Sequence, residues 1–240
     1  MSFTPAPGLT LRGLDAPRRL RDFGLIAFDM DSTLINIECI DEVADAAGRK
    51  AEVAAITEAA MRGEISDYKE SLRRRVALLK GVPVGALQEV YEQRLRLNPG
   101  ATELVRACQA AGLKTLLVSG GFTYFTDHVR DTLGIDDTRS NVFEIIEGHL
   151  TGRMVDQPWG DICDGEEKKR MLLDTCARYG IGLAQAIAMG DGANDLPMMK
   201  ACADAGGLSV AYHAKPKVRE QAMVSIETGG LDRLLEVIQA

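Results

Sequence analysis

The chain has 240 residues, 46% of them hydrophobic, and a formal net charge of −7, enough apolar material for one large core with or without an insert. The acidic balance argues against a nucleic-acid partner, because there is no basic tail and no basic run longer than Arg73-Arg74-Arg75. The five cysteines (Cys39, Cys108, Cys163, Cys176, Cys202) are scattered and never form C-x-x-C, which fits reduced thiols in a cytoplasm better than a disulfide framework or a zinc site; no signal peptide or membrane span is expected either.

Residues 1–22, with three prolines and four arginines, read as an irregular leader. Residues 25–29 read as a buried strand. From 35 to 96 every strong pattern is helical: helices are expected over 37–47, 53–61, 67–79 and 84–94, before Asn98-Pro99-Gly100 breaks the chain. Beyond the break the pattern alternates. A helix over 101–111 precedes a strand over 114–118, a helix over 124–133, a hairpin within 142–155 and a helix over 166–179. A strand over 186–189, a helix near 198–203, strands near 208–211 and 224–226 and a last helix over 231–238 complete the chain. Strand–helix alternation predicts an α/β fold. The expected architecture is a three-layer Rossmann-like core (23–34 and 97–240) with a parallel sheet, interrupted after its first strand by an inserted helical-bundle cap (35–96). In such sheets ligands sit beyond the carboxyl ends of the strands, where each motif below falls.

Asp29 and Asp31 lie two apart after the first strand, so on extended backbone both carboxylates face one side while Met30 points away. A turn or helix cap would also use Asp-x-Asp-Ser-Thr. A second acidic stretch, Gly190-Asp191-Gly192-Ala193-Asn194-Asp195, follows the apolar strand 186–189. It matches the first half of a dinucleotide-binding turn, but Asp195 stands where the last glycine belongs and would repel a pyrophosphate. Acids at the centre of a phosphate site make sense around a divalent cation, and oxygen-only ligands point to Mg²⁺.

Ser119-Gly120-Gly121 is either an ordinary strand–helix turn or a set of backbone N–H groups facing an anion. Lys168 and Lys169 open a helix and are either solvated or hold a phosphoryl oxygen. Among the three arginines, helical geometry puts Arg75 on the apolar stripe of Tyr68, Leu72, Val76 and Leu79, Arg74 opposite and Arg73 to the side; Arg75 then snorkels or reaches a ligand. No P-loop, nucleophile elbow or cysteine-phosphatase loop is present.

Asp29-Met30-Asp31-Ser32-Thr33, Ser119, Lys168 and Gly190 to Asp195 occur in the order of the four motifs of the haloacid dehalogenase superfamily of aspartate-nucleophile phosphotransferases, which the chain resembles from about Phe23 onward. The phrases Ile37-Glu38-Cys39-Ile40-Asp41-Glu42, Ser71-Leu72-Arg73-Arg74-Arg75-Val76, Ser119-Gly120-Gly121-Phe122 and Ala211-Tyr212-His213-Ala214-Lys215-Pro216 are similar to those of its O-phosphoserine-hydrolysing branch. Some bacterial members carry a regulatory domain before the core, and residues 1–22 are too few for one.

The resemblance implies Asp29 as nucleophile and Asp31 as general acid and base. It implies Mg²⁺ held by the Asp29 carboxylate, the Asp31 carbonyl and the Asp191 carboxylate, with Asp195 orienting that shell. Ser119, the Gly120 backbone and Lys168 would hold phosphoryl oxygens, and Asn194 would position the phosphate. In the cap, Glu38 would accept from the substrate ammonium, Arg75 would pair with its carboxylate and Met61 would line the pocket. The implied activity is Mg²⁺-dependent hydrolysis of O-phospho-L-serine, the last step of serine biosynthesis, by a monomer or homodimer. Phosphotransfer to an amino alcohol such as homoserine, action on another small phosphomonoester, and a silent phospho-ligand binding module are the alternatives.

Overall fold

The computed structural model describes residues 2–14, 18–61, 64–65 and 67–239. The strands are β1 (Ser2–Ala6), β2 (Leu9–Arg12), β3 (Arg18–Arg19), β4 (Leu25–Phe28), β5 (Lys114–Phe122), β6 (Asp137–Asn141), β7 (Phe143–Ile146), β8 (His149–Met154), β9 (Ala186–Gly190), β10 (Leu208–Tyr212), β11 (Val224–Ile226) and β12 (Ile238–Gln239). The helices are α1 (Cys39–Ala46), α2 (Lys50–Met61), α3 (Tyr68–Ala77), α4 (Val84–Glu89), α5 (Ala101–Ala110), α6 (Thr123–Leu133), α7 (Gly165–Tyr179), α8 (Leu196–Asp204) and α9 (Pro216–Gln221).

One eight-stranded sheet runs in the order β1-β2-β11-β10-β9-β4-β5-β6. From β11 to β6 every pairing is parallel, and β1 and β2 add an antiparallel hairpin at the β11 edge. The central strand β4, Leu-Ile-Ala-Phe, is wholly buried, as a strand covered on both faces must be. Its alternate residues face opposite layers. Leu25 and Ala27 join Leu116, Ala188 and Ala211 against α7, α8 and α9; Ile26 and Phe28 join Leu117, Ile187 and Val210 against α5, α6 and the helices α1 to α4. The α/β, three-layer, parallel-sheet expectation holds.

Four differences from the sequence reading have physical causes. The leader is not irregular: β2 pairs with β11 and buries Leu9, a role visible only once the edge of β11 exists. The strand expected over 114–118 runs on to Phe122, with a register shift against β6. The polar strand β6 carries no hydrophobic alternation, because what it buries is Ser140 and Asn141. The last segment is a 3₁₀ turn over Leu231–Glu236 rather than an α-helix, and it then extends so that Ile238, in β12, pairs with Arg18.

The hairpin β7–β8 ties the helical segment to the sheet. Gly81 N–H donates to the Leu150 carbonyl at 2.8 Å, Leu150 N–H to that of Val82 at 2.8 Å, and Val84 N–H to that of Gly148 at 2.9 Å. At its base Phe143 stacks on Phe122 of β5, centroids 3.5 Å apart.

Candidate active site

The carboxyl ends of β4, β5 and β9 meet at one point. Asp29 follows β4 on extended backbone (φ −73°, ψ 162°), and its N–H donates to the Met189 carbonyl at 2.9 Å, continuing the pairing with β9. The chain then turns over Met30–Leu34, with Ser32 in the left-handed region at φ 56° and the Ile35 N–H closing on the Met30 carbonyl at 3.1 Å. This turn directs Asp29 and Asp31 into the same space. Asp29 is 4% exposed, and its Oδ1 accepts from the Met30 N–H and from Lys168 Nζ, both at 2.7 Å.

Asp31 Oδ2 accepts the Cys39 N–H at 3.0 Å, one of the otherwise unpaired donors at the start of α1. Its Oδ1 is buried with no protein partner. Glu38, exposed just before α1, accepts the Ser32 hydroxyl at 2.7 Å.

Lys168, on the first turn of α7, is 0% exposed, and its Nζ reaches Asp29 Oδ1 and Asp195 Oδ1 at 2.7 Å each. Lys169 beside it is partly exposed and forms an ion pair with Glu166, so the helix face separates the two lysines. Asp195 is 0% exposed; besides Lys168 it holds the Asp191 and Gly192 N–H groups on Oδ2 at 3.1 and 2.9 Å. Its side chain lies so close to Gly190 that any Cβ there would collide with it, which is why a glycine ends β9. Asp191 is half-buried, and Asn194, also half-buried, sets its side-chain oxygen against Gly192.

Oxygens of Asp29, Asp191 and Asp195 lie within 4.8 Å of one another. Burial, then the charge of Asp195, pushes the Asp29 carboxyl well above the carboxylate range, although Lys168 opposes this. Burial, then Asp195 and Glu38, pushes Asp191 up to about 7. Asp31 is pushed up to about 7 by burial and by Glu38. Burial works against the Lys168 ammonium, but the charges of Asp195 and Asp29 hold its pKa well above the ordinary lysine value. One ammonium thus faces three crowded carboxylates. An oxygen-only cluster with surplus negative charge fits a hard divalent cation. Asp195 is in the cluster by distance, yet both its oxygens are engaged by Lys168 and two amides, which suits it to orienting its neighbours.

Ser119, buried, accepts the Gly121 N–H on Oγ at 2.9 Å. Behind it stands Asn141, a residue the sequence reading missed. It is 1% exposed, donates Nδ2–H to the Gly120 carbonyl at 2.8 Å, and accepts the Cys163 N–H on Oδ1 at 2.8 Å. It clamps the Ser119-Gly120-Gly121 turn to the segment leading into α7. A polar residue in a polar strand carries no periodic signal, so only the fold reveals it. Asn141→Ala leaves both backbone groups unpaired, at about 1–3 kcal/mol each. The expected result is a lower denaturant midpoint together with a lower kcat/KM. Asn141→Asp keeps the acceptor for Cys163 but sets a buried carboxylate oxygen against the Gly120 carbonyl, so it should lower both as well.

On the helical side, Arg75 is half-buried and its Nε is buried without a partner, whereas Arg73 and Arg74 are exposed and paired with Asp161 and Glu70. The stripe geometry therefore holds. Near Arg75 lies Asp41, given no role of its own in the sequence reading: burial raises its carboxyl, and the Arg75 charge partly offsets that. The side chain of Met61 lies outside the described residues.

The sequence matches the haloacid dehalogenase-like hydrolase family over residues 26–200. A protein of Polaromonas sp. strain JS666 named phosphoserine phosphatase is 74% identical over 98% of each chain. Two solved structures, one described as a phospho-aspartyl intermediate analogue of phosphoserine phosphatase and one as its substrate-bound complex, superpose with TM-score 0.81 at 36% identity, over 90% of this chain and 99% of theirs. Motif order, the acid cluster at the strand ends and these similarities converge: the chain is an enzyme that belongs to the haloacid dehalogenase-like hydrolases, in the group that includes the phosphoserine phosphatases.

Proposed function

We propose that this enzyme hydrolyses O-phospho-L-serine to L-serine and phosphate, as the last step of serine biosynthesis in the cytoplasm, through an aspartyl-phosphate on Asp29. The observation that carries the reading is the pairing of buried, lysine-held Asp29 with an Asp31 whose Oδ1 has no partner. Asp29 attacks phosphorus. Asp31 gives a proton to the leaving serine oxygen and then takes one from the water that cleaves the acyl-phosphate; a carboxyl pushed up to about 7 suits both tasks. Mg²⁺ held by the Asp29 carboxylate, the Asp31 carbonyl and the Asp191 carboxylate would supply positive charge against the acids and the phosphate. Lys168, the Ser119 hydroxyl and the Gly120 backbone hold phosphoryl oxygens, with Asn194 beside them; Asp195 fixes Lys168 and the β9 loop.

Residues 35–96 act as a cap over the core formed by 23–34 and 97–240. Glu38 takes the substrate ammonium, and Arg75 takes the carboxylate with its planar fork. The substrate itself is inferred from the relatives' names and from Arg75. Arg75→Ala should raise KM for phosphoserine at least tenfold, since a charge-assisted hydrogen bond contributes about 1.5–3 kcal/mol. KM for p-nitrophenyl phosphate, which has no carboxylate, should barely move. Equal losses on both would remove Arg75 from substrate recognition.

The deciding assay is phosphate release from small phosphomonoesters with and without Mg²⁺. Preference for phosphoserine and loss of activity under chelation are expected. Repeating it with homoserine present and counting free phosphate distinguishes hydrolysis from phosphotransfer.

A further inference from the structure

α3 begins at Tyr68 because Asp67 caps it, accepting the Lys69 N–H at 3.0 Å. That start aims the Tyr68 ring across the cleft at the sheet. Its hydroxyl lies directly over Gly120, so closely that a Cβ on Gly120 would collide with it, and the carbonyl of Cys163 bounds the same niche. Asn141 joins the two walls, Gly120 and Cys163, through its amide. The niche is therefore rigid, and glycine at 120 is what admits the hydroxyl. Lys168 and Arg75 both act on it, and burial pushes the phenol pKa up, so the group remains a donor at neutral pH.

We propose that Tyr68 is a substrate-positioning residue from the cap, whose hydroxyl donates to a non-bridging phosphoryl oxygen held at Ser119-Gly120-Gly121. This rests on the phosphatase reading above and deepens it. Arg75 reads the amino-acid end of the substrate; Tyr68, from the same helix, reads the phosphoryl end. A phosphoryl oxygen bound there links cap to core, so that cap closure and phosphate recognition become one event.

The test is Tyr68→Phe, which keeps the ring and its packing and removes only the hydroxyl. KM for phosphoserine and for p-nitrophenyl phosphate should rise together, and the inhibition constant of inorganic phosphate should rise by about tenfold. A purely structural ring would leave phosphate inhibition unchanged, and that result overturns the proposal. A loss confined to phosphoserine also overturns it, because the hydroxyl would then read the serine moiety. Should the wild-type enzyme cleave p-nitrophenyl phosphate but not phosphoserine, the substrate reading fails, and phosphate inhibition of the aryl reaction still decides the role of Tyr68.

Discussion

Asp29→Asn should abolish turnover and leave the fold standing. The expected loss exceeds a thousandfold in kcat, or roughly 4 kcal/mol of barrier. Asparagine keeps the shape of the side chain and an oxygen for the Met30 N–H, and Lys168 retains Asp195. It also removes one of three crowded carboxylates whose burial is unfavourable, so the melting temperature should not fall. Acid quenching during turnover of ³²P-labelled phosphoserine should trap label on the wild-type chain at Asp29 and none on the variant. Label recovered from another residue, or substantial turnover by the variant, would show that the nucleophile lies elsewhere.

Lys168→Met should damage both stability and catalysis. The ammonium is wholly enclosed between Asp29 and Asp195, and removing it leaves two buried carboxylates facing each other. Breaking a buried pair by deleting one partner costs about 3–5 kcal/mol. In a domain of this size each kcal/mol is roughly 2–4 °C of melting temperature, so a fall of about 10 °C is expected. Lys169→Met is the control: its exposed contact with Glu166, 3.4 Å away, should change stability by less than about 0.5 kcal/mol. Matching melting curves for the two variants would contradict the central position given to Lys168.

Much of the site was legible in the sequence because its parts hang on strong local signals. β4 and β9 are unbroken apolar runs, so the acids that follow them had to emerge at strand ends. Helical spacing alone separated Arg75 from its two neighbours. What escaped notice lacks any local signal. Asn141 sits in a polar strand whose burial is set by the elements around it, and Tyr68 looked like one more member of an apolar stripe. The N-terminal hairpin needs the edge of β11 before its two leucines have anywhere to go. The C-terminal leucines carry helical spacing, yet Ile238 is better buried by an extended chain against Arg18.

The pairing of residues 81–84 with the β7–β8 hairpin bears on how the enzyme breathes. A cap joined only by its two entry segments would swing freely as a flap; the proposed cap over 35–96 is also stitched along a side to a ribbon whose root is pinned by Phe143 on Phe122. Any opening of that proposed cap is expected to turn about the stitched side, where the backbone bonds of 81–84 hold. Lys69 and Arg73 of α3 add ion pairs to Asp161, so the proposed cap is fastened to the core at a second place, and opening it means breaking those pairs.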